Sequence, residues 1–173
     1  LIVPKNRLIE LTKGSLTLGS LIVEPFSVSH DAADPIGINV FAGNDKATIV
    51  TDTGVISDDV LRRIDDTTLL VLEANYDPHM LRFGPYQPFL KQRVASDEGH
   101  LSNEMAAQAL LMMKRPNFMQ VILAHRSENN NNAVLVTQTI GKMLVDGGVR
   151  IGPEMKLQHG QPNEIVSIQS VER

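Results

Sequence analysis

Three short apolar runs, Phe26-Ser27-Val28-Ser29-His30, Ala47-Thr48-Ile49-Val50-Thr51-Asp52 and Val121-Ile122-Leu123-Ala124-His125, each end on a side chain that can bind a metal. Runs of this length read as strands, and strands of an α/β sheet deliver side chains to the crevice at their carboxyl ends. A metal site is therefore the first expectation. No His-x-His or His-x-x-x-His pair occurs, so His30, Asp52 and His125 must be gathered from separate elements. By themselves these three do not complete two metal shells.

The chain has 173 residues, enough for one domain that buries on the order of 70% of its unfolded surface. Aromatic residues are only 4% and Trp is absent, which leaves the core to Leu, Ile, Val and Met. A net charge of −4 argues against gripping nucleic acid through bulk positive charge, so a polyanion would need a local patch or metals. With no cysteine, metal ligands must be His and carboxylate, and the chain suits a reducing cytosol. No apolar run approaches the ~18 residues of a membrane span, and no basic leader precedes a cleavage pattern. The expected location is cytoplasmic. Leu1-Ile2-Val3-Pro4 reads like the tail of a strand or loop without an initiator Met, the expected look of a piece of a longer chain.

Along the chain, β patterns alternate with helical ones. Gly19-Ser20 and Gly43-Asn44-Asp45 separate β-rich runs as hairpin turns. Ser57 and Ser102 each precede an amphipathic helix as N-caps, and the Asn129–Asn132 turn leads into a helix that stops at Gly147-Gly148. Leu69-Leu70-Val71-Leu72-Glu73 has the unbroken apolar pattern of a buried strand. Residues 75–99, with Pro78, Pro85 and Pro88, read as a long irregular insert. After Pro153 two strands are expected, Met155–His159 and Ile165–Ile168.

Taken singly, each candidate has a plain structural alternative. His30 and His125 could be ordinary loop histidines, and Thr51-Asp52-Thr53-Gly54 an ordinary turn. As a ligand, His30 would be oriented through its second ring nitrogen by Asp31 or Asp34. His100 is not tied to the end of an apolar strand, which suits a mobile general acid or phosphate contact. Glu73 ends a buried strand and could orient a ligand by hydrogen bonding. Lys91, Arg93 and Arg126 are candidate phosphate contacts. His79 and His159 read as surface residues, and Leu110 to Met113 as core.

The joint order is more specific than its parts. The stretches Pro25 to Ala32, Thr51-Asp52-Thr53-Gly54, Leu72 to Asp77, Gly84-Pro85-Tyr86, Leu90 to Arg93, Gly99-His100-Leu101-Ser102-Asn103-Glu104 and Leu123 to Asn130 together resemble the metallo-β-lactamase superfamily. The resemblance is to its YycJ (WalJ) type of hydrolases and exonucleases and covers roughly residues 15–140. It implies an α/β fold of the αββα sandwich type, represented mainly by its C-terminal half in one partial domain, residues 1–173. It also implies two divalent cations, zinc or manganese, with His30 on one, His125 on the other and Asp52 bridging. His100 would assist the leaving group or contact phosphate, making Asp52 and His100 the catalytic pair, with Glu73 in support.

The family's first motif, His-x-His-x-Asp-His, would lie upstream of everything present here. Each cation is then expected to keep two protein ligands, and Tyr76 stands where these proteins commonly carry His. The implied activity of the full-length form is phosphodiester hydrolysis, as a 5'-to-3' DNA exonuclease. Small-ester, thioester or lactam hydrolysis on the same fold, and a catalytically inactive truncated homologue, are the alternatives. DNA or another phosphodiester is the expected partner, together with a second copy or the missing half, and no membrane.

Overall fold

A computed structural model of the chain describes residues 4, 11, 14–161 and 164–168. Seven strands form one sheet in chain order: β1 (Leu16–Leu18), β2 (Leu21–Ser27), β3 (Ile36–Ala42), β4 (Asp45–Val50), β5 (Leu69–Glu73), β6 (Met119–Ala124) and β7 (Met155–His159). Strands β1 to β4 pair antiparallel through short turns, while β4 to β7 pair parallel. Gly19 and Gly43 sit at φ 62° and 60° in the two hairpin turns, where a side chain would strain the backbone.

The parallel half needs crossovers, and helices supply them. α1 (Asp58–Ile64) links β4 to β5, α2 (Pro78–Phe83), α3 (Pro88–Val94) and α4 (Asn103–Met112) link β5 to β6, and α5 (Ala133–Asp146) links β6 to β7. Side-chain caps fix where four of them start: Ser57, Asp77, Ser102 and Asn132 accept from the backbone N–H of Val60, Met80, Met105 and Leu135.

Strand periodicity turns one face of the sheet into these helices. Val50, Leu70, Leu72, Val121 and Leu123 are almost fully buried there against Val60, Ile64, Leu110, Val136, Ile140 and Leu144. Each such side chain contributes about 1.5–3 kcal/mol relative to exposure. On the opposite face Ile38, Ile49, Val71 and Ile122 align in register across four strands, and Ile49 remains 41% exposed. No helix covers that row among the described residues.

Three expectations need correction. The segment 75–99 is not irregular throughout: Pro78 and Pro88 open α2 and α3, because a proline at the first helical turn loses no hydrogen bond and arrives with helical φ. Ile165–Ile168 forms no strand; Ile165 is 96% exposed, with no packed face to favour extended pairing. Met112 points to solvent at the end of α4, whereas Leu110 and Met113 are core.

Candidate metal centre

The sheet ends its strands around one spot. Asp52 follows β4 and His125 follows β6, both in left-handed backbone at φ 54° and 51°. Few non-glycine residues adopt this region, and here it bends the chain sharply just after each strand. The loop after β2 is pinned from two sides: Gly54 N–H donates to the Ser29 carbonyl at 2.8 Å, and Asp31 N–H to the Glu98 carbonyl at 3.1 Å. Gly54 and Gly99 allow this, since a Cβ on either would run into neighbouring carbonyl groups of residues 93–97.

The side chains then converge. His30 Nε2 lies 3.9 Å and His125 Nε2 3.6 Å from Asp52 Oδ1. His100 sits between the two imidazoles, with ring centroids 5.2 Å from His30 and 5.1 Å from His125. Its Nδ1 faces Glu73 Oε1 at 2.8 Å, close enough for an ion pair but not aligned as a hydrogen bond. Glu73 is fully buried, accepts from the Thr53 N–H at 3.1 Å, and faces His125 Nδ1 at 3.6 Å.

The electrostatics follow from that packing. Burial pushes the Glu73 carboxyl up, but the His100 and His125 rings and the Thr53 N–H outweigh it and hold it below the ordinary carboxylate range. Glu73 in turn raises His125 above the usual imidazole value, against burial and with a further contribution from Asp52.

Two overlapping donor sets emerge, His30–Asp52–His100 and Glu73–His100–His125, each with its ligand atoms within 4.8 Å of one another. Nitrogen and carboxylate donors of this kind suit zinc or manganese. Glu73 Oε1 and His100 Nδ1 are buried without a hydrogen-bond partner among the described residues, as donors awaiting a cation would be. The residues present therefore fit a divalent ion.

Sequence order brought His30, Asp52 and His125 together as expected, and Glu73 meets two of the imidazoles. The details differ. His30 is oriented by the Gly99 carbonyl, 3.0 Å from its Nδ1, rather than by Asp31 or Asp34. Asp31 instead takes a two-pronged pair from Arg93 on α3, with Nη2 at 3.0 Å from Oδ1. His100 lies inside the cluster, between the rings of His30 and His125. Tyr76 is buried with Leu81 and Val94, and burial, then Glu104 and Glu73, raise its phenol above the usual value. His159 is half-buried, its Nε2 2.9 Å from Thr137 Oγ1, and is not a free surface residue. Sequence reasoning missed Asn75, whose side-chain amide donates to the His125 carbonyl at 2.8 Å and fixes the loop that carries it. A buried amide after an apolar strand was the available signal.

Known proteins resemble this chain in sequence and in fold. Exodeoxyribonuclease YycJ of Bacillus anthracis is 36% identical over 90% of this chain and 59% of its own length. The chain is similar in sequence to this exodeoxyribonuclease, and its structural neighbours are metallo-β-lactamase fold proteins. Exodeoxyribonuclease WalJ of Streptococcus pneumoniae is 33% identical over 85% of this chain and 55% of its own. The chain thus spans a little over half the length of the curated relatives it matches. The metallo-β-lactamase fold protein YhfI of Bacillus subtilis superposes with a TM-score of 0.58 at 13% identity, over 86% of this chain and 50% of that one. At that identity the likeness speaks for the fold alone. No family model matches the chain.

Proposed function

We propose that this chain carries the C-terminal half of a metal-dependent phosphodiesterase acting on DNA ends. One observation carries the reading: His30, Asp52, His100 and His125, spread over 96 positions of sequence (125 − 30 + 1 = 96), form with the buried Glu73 two overlapping donor sets that share His100. The names of the YycJ and WalJ relatives support DNA as the substrate class.

In this reading His30, Asp52 and His125 hold the cations, with His100 close enough to both sets to join either. Divalent cations so held supply Lewis acidity, activating water and stabilising charge on the departing oxygen. The chain's own part is positioning. Gly99 fixes the His30 ring, leaving Nε2 toward Asp52, and Asn75 fixes the backbone of His125. The Glu73 carboxylate faces His100 Nδ1 at 2.8 Å and holds the ring in the cluster, where His100 would be placed to pass a proton to a leaving alkoxide. A cleft of about 330 Å³ beside His30 and Asp52, walled by Val28, Pro35, Ile36 and Thr51, gives the scissile group a place to lie.

The test pairs metal binding with cleavage. In the full-length protein, calorimetric titration with Zn²⁺ or Mn²⁺ should show stoichiometric binding, and end-labelled DNA should be degraded in a metal-dependent way. His125→Ala should lower both by at least about tenfold. Wild-type protein that binds no cation would sink the proposal and leave a non-catalytic fragment. A second reading, hydrolysis of a small ester, thioester or lactam, draws on the apolar walls of the same cleft. Cleavage of such esters without cleavage of DNA would select it.

A further inference from the structure

The insert formed by α2 and α3 is chemically unlike the rest of the molecule. The chain has five Phe and two Tyr in all, and four of these seven, Tyr76, Phe83, Tyr86 and Phe89, fall within 14 residues (89 − 76 + 1 = 14). Between Pro78 and Ser96 stand Arg82, Lys91 and Arg93 and no carboxylate, although the whole chain carries −4. Packing uses half of the aromatics. Tyr76 and Tyr86 cluster with Leu81, Leu90 and Val94, which leaves Phe83 and Phe89 outward at 67% and 71% exposure. The Arg82 guanidinium lies 5.3 Å from the centre of the Phe83 ring, and Lys91 Nζ donates to the Arg82 carbonyl at 2.8 Å. The His79 ring also lies 4.6 Å from the Phe83 ring, so exposed rings and cations share one surface, with Phe89 the more open of the two.

The same insert is fastened to both flanks of the metal centre. At one end Arg93 grips Asp31, the neighbour of His30, and the Val94 carbonyl accepts from the His100 N–H at 2.9 Å. At the other end Asp77 N–H donates to the Asn130 carbonyl at 2.8 Å and the Asn129 amide to Tyr86 Oη at 3.4 Å, in the turn that follows His125. A ligand lying on α2 and α3 therefore borders the centre itself.

We propose that α2 and α3 form a docking platform for single-stranded polynucleotide, with bases stacking on Phe83 and Phe89 and backbone phosphates meeting Arg82 and Lys91. Aromatic rings interleaved with cations are what an unpaired strand needs: base faces exposed to stack and a charged path for phosphates. A duplex hides its base faces and gains only the charge. The choice of DNA rests on the phosphodiesterase reading, whereas stacking itself does not require a metal.

The test exploits the absence of Trp from the chain. Phe89→Trp creates a lone fluorophore on the surface, and its emission is followed as oligothymidylate is added in EDTA. Saturable quenching by the single strand, at concentrations where the matching duplex gives none, is the expected result. By fluorescence anisotropy with labelled oligothymidylate, Phe83→Ala and Phe89→Ala should each weaken binding by about tenfold. Phe89→Trp should retain affinity and Phe89→Leu should not, separating stacking from general apolar contact. Absence of quenching, or unchanged affinity in the double alanine variant, overturns the platform. So does a double variant whose only change is lost self-association in sedimentation, which would make the rings a contact between copies. Because the titration runs in EDTA, quenching without metal-dependent cleavage removes the phosphodiesterase alone, and cleavage without quenching removes the platform alone.

Discussion

The backbone at Asp52 and His125 explains how two residues far apart in sequence come to share a site. Each leaves its strand in left-handed conformation, and His125 then faces both Asp52 and the buried carboxylate of Glu73. Glu73 therefore acts through others, holding His100 and His125 from behind. Glu73→Gln keeps an acceptor for the Thr53 N–H but removes the charge that the imidazoles face. We expect divalent-metal affinity to fall about 10–100-fold with the fold retained, measured by competition against a chromophoric chelator. Unchanged affinity would reduce Glu73 to a packing residue. The convergence of His30, Asp52 and His125 was legible because each ends an apolar run, and runs that become strands share one sheet edge. The Gly99 carbonyl and the Arg93 to Asp31 pair were not legible, since both are contacts across more than sixty positions with no local pattern.

Among the elements, those with strong local punctuation were readable. Ser57, Ser102 and the Asn turn cap helices where the spacing placed them. The short α2 and α3 were not readable, because at six and seven residues they lack a helical period and their prolines read as breaks. The Asn run proves to be more than a polar turn. Asn131 and Asn103 exchange amide hydrogen bonds of 2.9 and 3.1 Å inside the protein, and Asn131 also donates to the Ala74 carbonyl at 3.0 Å. Asn103→Ala would leave one amide hydrogen of Asn131 without a partner, while its Oδ1 keeps the Asn132 N–H, so we expect a loss of about 1–3 kcal/mol in urea unfolding.

The contact between β7 and α5 carries a pH dependence. Burial, then Arg126, hold His159 below the ordinary imidazole value of 6.5. Once pH falls below about 6.5 the unfolded chain takes up a proton that the folded chain still refuses, so stability declines. The decline ends below the depressed folded value, and above 6.5 the contribution is absent. His159→Gln should flatten this part of the acid-side slope relative to wild type, in urea melts run from neutral to mildly acidic pH. An identical slope would show that His159 titrates normally.

Over the whole molecule, the pattern of β5 and β6 promised strands buried on both faces, yet the described helices cover only one. Continuous apolar runs report what a strand can bury, and the sheet's other face is set by whatever packs on it. Charge shows the same separation between average and local properties. A polyanion meets a chain of net −4, but the acid-free stretch from Pro78 to Ser96 offers it an attractive surface. That fixes how binding should respond to salt. Each phosphate neutralised on a single strand contributes about −0.7 to the slope of log K against log salt, so Arg82, Lys91 and Arg93 together would give about −2. Arg93 is already paired with Asp31, and if that pair survives binding only two cations remain, for a slope of about −1.4. Asp31→Asn releases Arg93 and should steepen the slope toward about −2, read from anisotropy titrations across a range of KCl concentrations. A wild-type slope beyond about −3 would mean that phosphates are met by cations elsewhere on the surface, because the insert has no more to offer.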